Sequence, residues 1–300
     1  MNTNYHIPVL LKQSVDALVL NPDGVYVDAT FGGGGHSAEI LSRLSSKGKL
    51  FAFDQDKDAQ QNSLKDDRFE LIEANFRFLK RFLKFFKITE VDGILADFGV
   101  SSHQFDIPER GFSTRFDAQL DMRMNQNDKL SAYELVNTYE EQDLTSLFRT
   151  YGELKMAPKL ARAIISERLN KPIETTSELN SVLEPLLPKT KVFKFLAQIY
   201  QAIRIEVNQE MKALEEFLLQ TQDLVKPSGR LSFITYHSLE DRLVKRYIRD
   251  GNFTGQVEKD FYGNKLAPFK KVGQLIIPDK SEIIDNSRAR SAKLRIAEKL

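Results

Sequence analysis

Asp28 to Ser37 reads DATFGGGGHS, and this stretch decides the fold. It follows the apolar run Val25-Tyr26-Val27 and precedes Ala38-Glu39-Ile40-Leu41, which has helical character. Four consecutive glycines between a strand and a helix are costly, because glycine loses the most backbone entropy on folding. A chain keeps them where backbone must approach a ligand closely, at a helix N-terminus whose free N–H groups favour electron-rich atoms.

Gly33-Gly34-Gly35-His36-Ser37-Ala38 fits G-x-G-x-x-A, a pattern that a tight turn without a ligand fits equally well. Asp54 narrows the choice. It stands 21 residues after Gly33 and ends the apolar Leu50-Phe51-Ala52-Phe53. An acid closing a second strand at that distance can accept hydrogen bonds from a ribose. Nicotinamide cofactors and S-adenosylmethionine both present ribose and adenine to such a site. The spacing therefore specifies an adenosine-containing cofactor without saying which.

Outward from this stretch, strand and helix alternate. Strands are expected at Val25 to Asp28, Lys49 to Phe53, Phe69 to Glu73 and Gly93 to Ala96. Helices are expected at His36 to Leu44, Lys57 to Leu64 and Phe76 to Lys87. The alternation predicts a parallel sheet with helices on both faces and a site beyond the carboxyl ends of its strands. From Ser131 to about Leu187 the pattern is helical. Capping boxes are expected at Ser131/Glu134, Thr138/Glu141 and Thr175/Glu178. Lys194 to Leu224 carries long helices, and a strand resumes at Leu231 to Thr235. Val272 to Ile277 and Ala292 to Ala297 predict a terminal antiparallel hairpin, loosely joined by Asp279 to Asn286. The architecture expected is one α/β domain with a helical domain inserted after its fourth strand.

Composition excludes several classes. The chain has 300 residues, 41% of them hydrophobic, enough to fill a sizeable core. It has no cysteine, hence no disulfide, thiolate metal site or cysteine nucleophile. His6, His36, His103 and His237 are scattered, without zinc-site spacing, and no metal is expected. No signal peptide or membrane span is visible, so a cytoplasmic protein is expected. With a net charge of +1, contact with nucleic acid must come from local patches.

Four segments invite chemistry. Asp97 ends the fourth strand and opens a small-residue loop; it also reads as a strand-end acid capping the next turn. His237, at the end of the Leu231–Thr235 strand, could act as a base or simply serve structure, and Ser238 with Asp241 could cap the following helix. Arg77, Lys80, Arg81, Lys84 and Lys87 recur at helical spacing, as a phosphate stripe or as the solvated face of a core helix. Arg288, Arg290, Lys293 and Arg295 form a second basic cluster.

An ordered set of short motifs goes further. It comprises His6 with Val9-Leu10-Leu11, DATFGGGGHS, FDQD (Phe53 to Asp56), DFGVSSHQ (Asp97 to Gln104), ERGFS (Glu109 to Ser113), LDMRM (Leu120 to Met124), HSLEDR (His237 to Arg242) and RARS (Arg288 to Ser291). Together they closely resemble the RsmH/MraW family of bacterial 16S ribosomal RNA cytosine-N4 methyltransferases, from His6 to about Glu298. The resemblance implies a Rossmann-like methyltransferase domain in two parts, 1–107 and 201–300, around a helical substrate-recognition domain at 108–200. It implies S-adenosylmethionine as methyl donor, bound by Gly34, Gly35, His36, Asp54, Phe76, Asp97 and Gln104. Asp97 is the candidate acceptor for the amine proton, and LDMRM opens an RNA-facing lid. The implied partner is 16S ribosomal RNA in the small subunit, with no membrane and with a homodimer left open. His103 departs from the proline common at that position. Two other readings stay open, a nicotinamide-dependent oxidoreductase and a non-catalytic ribosome-assembly factor.

Overall fold

The computed structural model describes residues 8–263 and 265–300; His6 lies outside them. The chain forms two compact units, Met1–Gly99 with Met211–Leu300, and Val100–Glu210.

The first unit holds a seven-stranded sheet. Its strands are β1 (Val25–Asp28), β2 (Lys49–Asp54), β3 (Phe69–Glu73), β4 (Val91–Asp97), β5 (Val225–Thr235), β6 (Phe269–Ile276) and β7 (Lys293–Lys299), in the order β3-β2-β1-β4-β5-β7-β6. The first five are parallel, while β7 runs antiparallel to both neighbours. This is a Rossmann-like sheet. Strand order reverses between β1 and β4, and ligands of such sheets sit beyond the strand ends at that switch. The central strands read as unbroken apolar runs because helices cover both faces: Val27, Phe51, Ile94 and Phe233 lie in one buried cluster, Tyr26, Leu50 and Leu95 in another.

Helix α1 (Leu11–Leu18) was not expected. It buries Val15 and Leu18 against Tyr26, Leu50 and Leu95. Helix α2 (Gly35–Arg43) follows the glycine turn. Lys57–Asn62 is a 3-10 turn rather than a helix reaching Leu64, and Phe76–Phe78 is likewise 3-10, so α3 is confined to Leu79–Phe85. The terminal hairpin is present. Its connection is ordered by α12 (Lys280–Asp285), capped by Asp279, and by a 3-10 turn at Ser287–Ser291. The first unit also carries α10 (Glu210–Leu224), which begins at the boundary, and α11 (Ser238–Asp250).

The second unit is helical: α4 (Ser102–Asp106), α5 (Ala132–Thr138), α6 (Glu141–Thr150), α7 (Ala157–Arg168), α8 (Thr176–Leu183) and α9 (Val192–Val207). Capping boxes close at Ser131/Glu134 and Thr175/Glu178. Thr138 does not form one: its hydroxyl donates to the Glu134 carbonyl at 2.6 Å, and Glu140 stands at the N-cap of α6. The LDMRM segment, at the entry of this unit, contributes to its interior. Leu120, Met122 and Met124 are buried in its core, and Arg123 folds back on Asp121 at 2.7 Å.

Candidate functional site

The site begins where β1 ends. Asp28 is buried, and its oxygens accept from the Thr30 N–H (3.1 Å) and the Ser37 hydroxyl (2.7 Å). That pins the two ends of the glycine turn to one carboxylate. Burial raises its pKa, against the opposing influence of His36 and Ser37. Within the turn, Gly32 and Gly34 have φ of +51° and +78°, which L side chains rarely adopt. A Cβ on Gly34 would come within 2.8 Å of the Phe31 ring, whereas one on Gly32 would meet nothing within 4 Å. The turn is thus close-packed behind and open at Gly32. Gly34 caps α2 without a side chain, and the helix has no acid in its first turn, so its N-terminal amides face no competing carboxylate.

Asp54, at the end of β2, accepts the Gly32 N–H and the Asp56 N–H, each at 2.8 Å. It fixes the turn while its remaining lone pairs can take further donors. Burial is the main force lifting its carboxyl to about 6; the two backbone donors pull it down, and the charges of Asp56 and Asp28 push it up. At the end of β3, Asn75 donates to the Gln55 side chain at 2.7 Å. Phe76 follows, its ring meeting Phe98 (5.9 Å) and Phe217 (5.1 Å) edge-on. His36 is buried and donates from Nε2 to the Val9 carbonyl at 3.1 Å, tying the segment before α1 to α2.

Asp97 ends β4 beside β1. Its N–H donates to the Thr30 hydroxyl at 2.6 Å, which links it directly to the glycine turn. Its Oδ1 is buried and has no hydrogen-bond partner among the described residues. Burial raises the carboxyl to about 6, against the opposing effects of His36 and a hydrogen bond from Tyr236. Tyr236, which follows β5, is itself pushed well above the phenol range, first by burial and then by the Asp97 charge. It therefore remains a donor at neutral pH. The sequence reading missed this partner. β4 and β5 align Asp97 with Ile234, two residues before Tyr236, a proximity visible only once the pairing register is known.

The structure brings Gly34, Gly35, His36, Asp54, Phe76 and Asp97 together at the carboxyl edge of one sheet. Gln104 belongs to the helical unit. It is the third residue of a capping box on α4, exchanging bonds with Ser101 at 3.1 and 3.2 Å. His237 serves as a cap: its Nδ1 accepts the Glu240 N–H at 3.4 Å, and Glu240 returns to the Tyr236 N–H at 2.9 Å. Asp241 does not cap α11 with Ser238; it holds Arg295 (2.8 Å) and Lys293 (3.4 Å). Arg77 and Lys80 are likewise bound, to Glu216 (2.6 Å) and Asp223 (2.7 Å). A cavity lined by Leu18, Asn21, Tyr26, Asp92 and Lys226 lies at the opposite, amino edge of the strands. Asp92 is committed there to Val25, Asn21 and Lys226, which reads as structure.

This arrangement can hold an adenosine at Asp54 and the glycine turn, and can offer one unengaged carboxylate oxygen at Asp97. Known proteins are similar to it along nearly its whole length. Ribosomal RNA small subunit methyltransferase H of Christiangramia forsetii is 69% identical over 296 residues, covering 99% of this chain and 98% of that one. The protein of the same name from Bacteroides fragilis is 55% identical over 298 residues, again 99% and 98%. Among solved structures, an rRNA methylase from Streptococcus thermophilus covers 96% of this chain and 92% of its own at 13% identity, with a TM-score of 0.41, too distant to add weight. The model of the MraW methylase family matches residues 3–300. Given that span and relatives this similar along their full length, the chain belongs to the MraW methylase family.

Proposed function

We propose that this protein transfers a methyl group from S-adenosylmethionine to the N4 amine of a decoding-centre cytidine of 16S ribosomal RNA in the small subunit, in the cytoplasm. Membership of a methylase family favours neither a nicotinamide oxidoreductase nor a non-catalytic assembly factor. The observation that carries the reading is Asp97 Oδ1, a buried acceptor with no partner among the described residues, one hydrogen bond from the glycine turn.

The residues fit the cofactor. Gly32 leaves open space, Asp54 keeps lone pairs for ribose hydroxyls, and Phe76 offers an aromatic edge for adenine. When bound, S-adenosylmethionine supplies a methyl group activated by its sulfonium. The chain's own groups do the rest. Cytosine's exocyclic amine is a poor nucleophile, since its lone pair is delocalised into the ring. Asp97 Oδ1 accepts one amine N–H, fixes the nitrogen's direction, and takes the proton made acidic as the N–C bond forms. Thr30, whose hydroxyl accepts the Asp97 N–H, holds the end of β4 in place during that transfer. Incubation with labelled cofactor and unmodified small subunits, followed by mapping, tests the reading. Methylation at a single decoding-centre cytidine N4 is expected. No incorporation, or incorporation on another base, would overturn it.

A further inference from the structure

The segment after α11 carries an exposed aromatic tip in a basic stretch of the chain. The chain leaves α11 through Gly251, at φ +75°, and Phe253 stacks on buried Tyr247 at 5.8 Å. Arg246 donates to the Phe253 carbonyl at 3.2 Å. Above this anchored base the chain doubles back. Lys259 bridges Lys265, and the Leu266 N–H donates to the Glu258 carbonyl at 3.0 Å. Asp260 shapes the tip by accepting the Tyr262 N–H (2.9 Å) and, through its carbonyl, the Gly263 N–H (3.0 Å). The tip presents Phe261, 99% exposed, and Tyr262, 87% exposed, edge to face at 5.7 Å.

Two fully exposed rings side by side lose the stabilisation of burial, so their placement asks for an occupant. Charge identifies it. Residues 242–271 contain eight Lys and Arg against three Asp and Glu, a net +5 in a chain whose total is only +1. Exposed aromatic faces within a positive field are how single-stranded nucleic acid is held: cations track phosphates while bases stack on rings, with little regard to sequence. We propose that the turn closed by the Lys259–Lys265 bridge is a stacking platform for unpaired ribosomal RNA bases, with Phe261 and Tyr262 as the stacking faces and Lys259, Lys265 and Arg246 as the phosphate contacts. The inference deepens the ribosomal RNA reading and rests on it for the identity of the strand.

The test uses the full chain and its Phe261→Ala/Tyr262→Ala double variant. The probes are a fluorescein-labelled single-stranded RNA of mixed sequence, the same RNA annealed to its complement, and unmodified small subunits. The parent should bind the single strand more tightly than the duplex. The double variant should lose at least about fivefold in single-strand affinity per ring removed, while duplex affinity, salt dependence and S-adenosylhomocysteine affinity stay unchanged. A Lys259→Glu/Lys265→Glu variant should instead flatten the salt dependence. Equal single-strand affinity in parent and double variant would overturn the platform. So would a concentration-dependent dimer that the double variant alone abolishes, because a second copy would then be the occupant. The two readings fail separately. Parent methylation of subunits with an unchanged KM in the double variant removes only the platform; stacking without any methylation removes only the proposed reaction.

Discussion

The Asp97 N–H donates to the Thr30 hydroxyl at 2.6 Å, while Asp97 Oδ1 stays buried and unengaged among the described residues. A buried acceptor without a partner forgoes roughly 1–3 kcal/mol of solvation. The fold tolerates this because Thr30 and the sheet register fix Asp97 in place. Such a group is pre-positioned for a donor that arrives with the substrate, and an amine N–H is such a donor.

Asp97→Asn should therefore lower the turnover number far more than cofactor affinity, since it preserves shape and removes the anionic acceptor. Because the carboxyl lies at about 6, parent turnover should rise as pH increases through about 6. Tyr236→Phe removes a hydrogen bond that lowers this value, so its acid limb should move to higher pH and its activity should recover partly in alkaline buffer. A purely structural defect would not recover. Rate profiles of both variants decide it, and equal losses in turnover and affinity for Asp97→Asn would make Asp97 a cofactor ligand only.

The same shifts have a stability consequence. Asp54 and Asp97 are both raised from 3.8 to about 6 in the folded protein. The native state then binds protons more tightly than the unfolded state, so each group's contribution falls as pH rises from about 4 to 6. Asp97→Asn should flatten this part of the stability curve and leave the protein no less stable at pH 7. Denaturant unfolding across that range measures it; a variant markedly less stable at pH 7 than at pH 4, relative to the parent, contradicts the assignment.

Asp54→Ala should weaken S-adenosylmethionine binding by on the order of 1.5–3 kcal/mol, the worth of hydrogen bonds to a charged acceptor. Part of that loss passes through Gly32, whose N–H Asp54 holds at 2.8 Å. Titration calorimetry on the folded variant reads the effect, and the parent's affinity should itself decline as pH falls through about 6. Unchanged affinity at pH 7.5 removes Asp54 from the cofactor site.

Much of this site was legible in the sequence. Gly34, Asp54 and Asp97 each stand where a local pattern ends, and parallel strands deliver their carboxyl ends to one edge. What local pattern could not carry was pairing across the sheet. The Asp97–Tyr236 contact needs the β4/β5 register, and the link of Arg77 to Glu216 needs α10 beside the start of α3. Lys293 and Arg295 read as a free basic cluster until the structure shows Asp241 between them. His237 illustrates a different limit: a ring at a strand end looks the same in sequence whether it acts as a base or as a helix cap.

Gly34→Ala should cost about 1–3 kcal/mol of stability, because alanine at φ +78° is strained and its Cβ would press on the buried Phe31 ring. Cofactor affinity should fall as well, through displacement of the α2 N-terminus. Gly32→Ala is the informative contrast: it shares the positive φ but meets no atom within 4 Å, so its loss of cofactor affinity should exceed its loss of stability. Chemical denaturation and calorimetry on both variants test this; equal stability losses would mean that the Phe31 contact contributes nothing.

Small subunits should be methylated far better than a short RNA containing the same cytidine. One cytosine edge carries too little information to select one site in a ribosomal RNA, so selection must draw on phosphates and RNA shape. The cations available for phosphate contact are narrower than the sequence suggested. Arg77 and Lys80 are held by Glu216 and Asp223, and Lys293 by Asp241, whereas Arg81, Lys84, Lys87 and Arg290 lie exposed. Arg81→Glu/Lys84→Glu and Arg290→Glu should each weaken subunit binding and reduce its dependence on salt, with cofactor affinity intact. Lys80→Glu is the control. It breaks an ion pair with Asp223 and should change stability slightly, with little change in the salt slope. Filter binding across a salt series separates these outcomes. A salt-insensitive parent would remove phosphate contacts from recognition, and equal turnover on subunits and a short oligonucleotide would remove shape.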